Sequence, residues 1–148
     1  MVVKQPSGPF VLADRGVDST SVTLRLFGED LDPDEISGLL GSRPTLSRRK
    51  GDPVLDESVR RLAETGSWLL SSERQSKNNL ESQIAALFGR LTQDLAVWRD
   101  LGARYRVDLF CGLWCSEWNR GFELSREIVR AIAERGLRVG YDIYFVSA

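Results

Sequence analysis

Histidine is absent from this chain, so proton chemistry would fall to carboxylates. Asp108 and Asp142 are the pair that the strand pattern turns towards one sheet face. With Arg25 or Arg106 beside them as an anion clamp, they would form a small histidine-independent site. A carboxylate would take the proton and a guanidinium would hold the developing charge. The same absence removes Ser-His and Cys-His nucleophile pairs and the commonest metal ligand.

Other motifs match chemistry less well. Ser47-Arg48-Arg49-Lys50 has the S-x-x-K spacing of penicillin-recognising enzymes, but it lies between Pro44 and Gly51 with neither a helix start nor companion motifs. Arg48, Arg49 and Lys50 are better read as an anion-binding loop, or as a solvated basic turn paired with acids nearby. Asp30-x-Asp32-x-Asp34 opens like a calcium loop, yet Glu35 and Gly41 stand where Gly and Glu belong. Cys111 and Cys115 are the two cysteines. Four residues along a strand separate them by roughly 13 Å, beyond disulfide reach. Two cysteines without histidine cannot close a zinc site, and no metal or cofactor is implied.

Binding surfaces stand out more than catalytic ones. Arg25, Phe27, Asp108, Phe110, Trp114, Asp142 and Tyr144 fall on the strand positions that point away from the apolar set, giving a sheet face of rings beside charges. Rings supply contact area and charges supply register. Such a patch calls for a cover: a second subunit, the N-terminal segment, a protein partner or a small-molecule ligand. Its bland alternative is a charge-paired surface, with Arg25 or Arg106 against Asp108 or Asp142. The loop Cys115–Phe122 adds Trp118 and Phe122, which either meet a partner or tuck back over the core.

The elements that must position these residues follow from periodicity. Val22, Leu24 and Leu26 alternate with Thr23, Arg25 and Phe27 in a half-buried strand. Asp32-Pro33-Asp34-Glu35 caps a helix whose apolar face is Ile36, Leu39 and Leu40, with Gly41 as its stop. Asp56–Glu64 reads as a short helix with Val59, Leu62 and Ala63 inward, and Gly66–Ser72 as a second strand. Leu80–Leu101 repeats apolar residues at spacings of three and four, predicting one long helix ended by Gly102. Tyr105–Trp114 is a third strand. Ser125 caps a helix burying Ile128, Val129, Ile132 and Ala133, and Leu137–Val146 is the last strand, with Ile143 in the core.

These elements predict an α+β two-layer sandwich: a four-stranded mixed sheet, about three helices mainly on one face, and a ferredoxin-like derivation. The last strand–helix–strand unit should be parallel. Residues 1–16 read as a partly ordered lead-in with a short strand at Phe10–Leu12, and 17–148 as a single domain.

Three stretches carry a resemblance: FGEDLDPDEISGLLGSRPTLSRRKGD at Phe27–Asp52, TGSW at Thr65–Trp68, and GFELSREIVRAIAERGLRVGYDIY at Gly121–Tyr144. In that order they resemble the bacterial family catalogued as domain of unknown function 4279, over roughly residues 19 to 146. The resemblance implies a shared fold and carries no activity to transfer.

Composition narrows the class. The chain has 148 residues, 42% hydrophobic and 28% charged, enough to bury a core without staples. A net charge of −1 disfavours nucleic acid as the main partner. Without a secretory h-region or a run of roughly 20 apolar residues, the expected location is the cytoplasm, with no membrane partner. The reading is a non-enzymatic binding or regulatory module with a protein partner or self-association. The histidine-independent enzyme and an antitoxin-like immunity protein are the alternatives.

Overall fold

The computed structural model describes residues 16–55, 60–77 and 79–146. Its first elements are β1 (Ser19–Gly28), α1 (Pro33–Leu40), β2 (Leu46–Arg48), β3 (Pro53–Leu55), β4 (Arg60–Leu62) and β5 (Gly66–Ser71). Then come β6 (Gln75–Ser76), α2 (Leu80–Gly89), α3 (Leu95–Arg104), β7 (Arg106–Cys115), α4 (Arg126–Glu134) and β8 (Arg138–Phe145). The lead-in before Gly16, with its expected Phe10–Leu12 strand, lies outside the described residues.

β1 sits at the centre of a six-stranded sheet of order β2-β5-β1-β7-β8, with β6 as a short rung beside the start of β1. It pairs antiparallel with β5 and β7, and β7 pairs parallel with β8, as the last strand–helix–strand unit predicts. One sheet face is largely apolar, with Thr20 of β1 as a buried polar exception that donates to Gln83 of α2. Val22, Leu24, Leu26, Trp68, Leu70, Leu109 and Cys111 are buried there under Ile36 and Leu40 of α1, Ile84 of α2, Leu101 of α3 and Ile132 of α4, in one contiguous cluster. Burying each large side chain contributes about 1.5–3 kcal/mol, which is why the helices collect on this side.

Local chemistry fixes the ends of the helices. Asp32 accepts a hydrogen bond from the Asp34 amide, and Pro33 occupies the first turn, where an N–H would be unpaired anyway. Gly41 then turns left-handed, at φ 75°, and its N–H returns to the Ser37 carbonyl. Glu35 does not close the expected capping box; it pairs with Arg104 at 2.6 Å and ties α1 to the end of α3. Ser125 caps α4 by accepting from Ile128 N–H, while its own N–H donates to Glu81 of α2.

Several expectations are corrected. Among the described residues the sheet has six strands rather than four and carries four helices rather than about three, and their order is not the βαββαβ of a ferredoxin-like unit. The expected helix Leu80–Leu101 is two helices. Asp94 caps the second by accepting from Ala96 N–H, and Trp98 Nε1 donates to the Thr92 carbonyl across the break. Gly102 lies inside α3 rather than ending it. Instead of a helix at Asp56–Glu64, Pro53–Leu55 pairs with Arg60–Leu62 as a separate hairpin, and Leu62 is exposed. Residues 56–59, including Val59, lie outside the described residues. In α4, Ile128 and Ile132 are buried but Val129 and Ala133 face solvent. Ile143, expected in the core, is 68% exposed, because β8 is the edge strand of the described sheet.

Candidate functional site

The sheet face opposite the helices is the site that the strand register builds. Arg25 and Asp108 are direct cross-strand partners on β1 and β7. They form a two-pronged ion pair, Nε to Oδ1 at 2.7 Å and a terminal guanidinium nitrogen to Oδ2 at 2.9 Å. The hydrogen bond that Arg25 donates to Asp108 raises the pKa of the guanidinium above its ordinary value. The same guanidinium lies 4.2 Å from the centre of the Phe110 ring and 5.5 Å from that of Phe27, and Arg106 reaches Phe27 from the other side at 4.9 Å.

A second group lies along β7. Trp114 and Tyr144 are register partners, and their rings stack at 5.1 Å with 16° between planes. Arg74, from the turn between β5 and β6, covers the Trp114 ring at 4.1 Å while its Nε donates to Ser19 Oγ. Gly112 makes the arrangement fit: a Cβ there would come within 2.7 Å of the Trp114 ring and 2.9 Å of Ser21 Oγ. The Tyr144 hydroxyl donates to Asp142, and that carboxylate raises the phenol pKa.

The carboxylates therefore share a face without forming a pair. Asp108 is level with Arg138 and Asp142 with Gly112, four residues further on and roughly 13 Å away. Both Asp108 oxygens are held by Arg25, and Asp142 accepts from Tyr144. Neither lines the cavity found among the described residues. That cavity, of about 280 Å³, opens beside α2, lined by Ser72, Gln75, Gln83, Leu87 and Arg90. Its buried polar group, Gln83, is already satisfied by Thr20 and the Glu73 carbonyl.

The basic loop divides. Arg49 pairs with Asp32 at 2.6 Å and Asp34 at 2.8 Å, and Lys50 with Glu29 at 3.2 Å, so these two close the acidic turn that resembled a calcium loop. Ser47 sits on β2, not at a helix start. Arg48 is different: the register aligns it with Ser67, Phe27 and Arg106, which brings it onto the open face. Sequence reasoning placed Arg48 in a loop because three-residue β2 is too short to show a period. Arg74 was missed altogether, and no local signal marks it. Arg138, level with Asp108, completes an arginine-rich face on a chain of net charge −1.

In the loop after β7, Trp118 is 75% exposed while Phe122 turns inward against Tyr141 at 5.5 Å. Of the two, Phe122 tucks back over the core and Trp118 does not. Burial pushes the Cys111 thiol up to about 12, and both cysteines are free thiols.

The model of the family described as Domain of unknown function (DUF4279) matches residues 18–146. The chain belongs to this family. No curated protein and no solved structure matches it. The DUF4279 match runs from the start of β1 to the end of β8, so the open face lies wholly inside the family domain. No helix among the described residues is long and apolar enough to cross a membrane.

Proposed function

We propose that this DUF4279 domain is a non-catalytic cytoplasmic binding module whose open sheet face docks an acidic surface of a protein partner. The carrying observation is the interleaving of Arg25, Arg74 and Arg106 with Phe27, Phe110 and Trp114. Such a face offers ring area, and Arg74 and Arg106, neither ion-paired with a described residue, leave guanidinium groups for carboxylates. Base stacking is less well served, since Phe27 lies between two guanidiniums and Trp114 between Arg74 and Tyr144. Free thiols suit a reducing compartment. Enzymatic use of Asp108 or Asp142 is opposed by the bonds that already occupy them.

The test compares protein captured by the wild type with that captured by Phe110→Ala and Arg106→Glu, each confirmed folded by circular dichroism. A partner retained by the wild type and lost by both variants, with hydrogen-exchange protection on β1 and β7, supports the reading. A partner indifferent to both substitutions rejects it.

A further inference from the structure

The free side of β8 complements itself. Val146 donates its N–H to the Cys115 carbonyl at 2.8 Å, so the even-numbered residues of β8 direct their backbone groups to β7. By alternation, the N–H and C=O groups of Val139, Tyr141, Ile143 and Phe145 point out of the sheet edge, where no described strand meets them. Ile143 and Phe145 are 68% and 72% exposed on the helix side of this strand, and β8 contains no proline, lysine or described bulge to blunt it. An eight-residue edge of this kind, apolar on its helix side, is a template for another strand.

We infer that β8 pairs antiparallel with β8 of a second copy about a two-fold axis at Tyr141, joining the two sheets into one. Three features select a second copy and this register. The outward-pointing residues face one another, Tyr141 with Tyr141 and Val139 with Ile143 of the second copy, which is the closely hydrogen-bonded type of pair. On the helix side every pairing is apolar, with Leu137 opposite Phe145 of the second copy. On the open face Arg138, which makes no ion pair with a described residue, lies opposite Tyr144 and diagonal to Asp142 of the second copy. Moving the axis to Asp142 would set that carboxylate against itself. Moving it to Gly140 would leave Tyr144 and Phe145 beyond the paired length. The edge is separate from the partner-docking face, so the two readings stand or fall independently.

Light scattering at tens of micromolar should give the wild type a dimer mass. Ile143→Lys should give a monomer mass with an unchanged circular dichroism spectrum. Tyr141→Pro should do the same, because its N–H is not bonded to β7 and proline is tolerated there. Under mild oxidation the Val139→Cys/Ile143→Cys double variant should cross-link between copies, while Ile143→Cys alone should not, since the axis separates its two copies by roughly 13 Å. A monomeric wild type overturns the inference and leaves the edge to residues 1–15 or a foreign strand. A dimer that survives Ile143→Lys, or cross-links through Ile143→Cys alone, overturns it as well.

Discussion

β1 and β8 are written in the same alternating code and meet opposite fates. Val22, Leu24 and Leu26 of β1 are wholly buried, whereas Ile143 and Phe145 of β8 are among the most exposed apolar side chains of the molecule. Alternation reports which residues share a face; it does not report how deep that face lies. Depth is set by position in the sheet. β1 has strands on both sides and α2 packed across it, while β8 has a described strand, β7, on one side only.

The comparison breaks most readily at its buried end. Leu109→Ala, beneath α3 beside the β1 seam, should cost about 2–5 kcal/mol in chemical denaturation, through lost burial and an unfilled cavity. A loss below about 1 kcal/mol would mean that the seam is no better packed than the edge.

The polar side of the seam comes next. Arg25 and Asp108 are 25% and 16% exposed, so removing Arg25 strands a partly buried carboxylate. Arg25→Ala should cost about 1–3 kcal/mol, and the cycle with Asp108→Ala should show coupling of about 1 kcal/mol. Independent effects in the cycle would make the pair ornamental.

At the edge, Ile143→Ala should change monomer stability by less than about 0.5 kcal/mol when measured in dilute solution. A cost near that of Leu109→Ala would place Ile143 in the core after all, and the contrast between the strands would vanish.

The smallest effect is electrostatic. Asp32 is held below the ordinary carboxylate range by its hydrogen bond from Arg49, Asp18 by that from Ser116, and Glu81 by that from Ser125. A depressed carboxyl contributes fully above its unfolded pKa, about 4, and that contribution fades as pH falls through the lower folded value. With no histidine in the chain, melting temperature should be nearly flat from about pH 6 to 8 and decline below about pH 4. A marked slope between pH 6 and 8 would contradict this assignment.

What the sequence shows clearly is local. The Asp32 cap, the Gly41 stop, the Ser125 cap and the two faces of β1 and β7 are all legible from side-chain spacing. The break between α2 and α3 is hidden because Leu91, Leu95 and Trp98 keep the helical interval across it; Thr92 and Asp94 were the available signal. The β3–β4 hairpin is hidden because Arg60, Arg61 and Leu62 have good helix propensity and are overruled by pairing. Of the candidate site, strand phase brought Arg25, Phe27, Asp108, Phe110, Trp114 and Tyr144 together correctly. The Arg25–Asp108 bond, the place of Arg48 and the approach of Arg74 depend on register and turn geometry, which no short window contains.

The central place of β1 also governs the order in which the molecule can be built. β1 is the first of the described strands of the sheet to be synthesised, yet Arg25 must wait for Asp108, 83 residues later, and Leu24 for Leu70. A nascent chain therefore carries β1 without its β7 partner through most of translation. The high sequence separation of these contacts places folding in the slower, millisecond-to-second range of small domains. Chains arrested before Arg106 should remain open to protease along β1, and protection should arrive with β7 rather than grow gradually. A strand that anchors the finished protein is, during synthesis, the segment most in need of a chaperone.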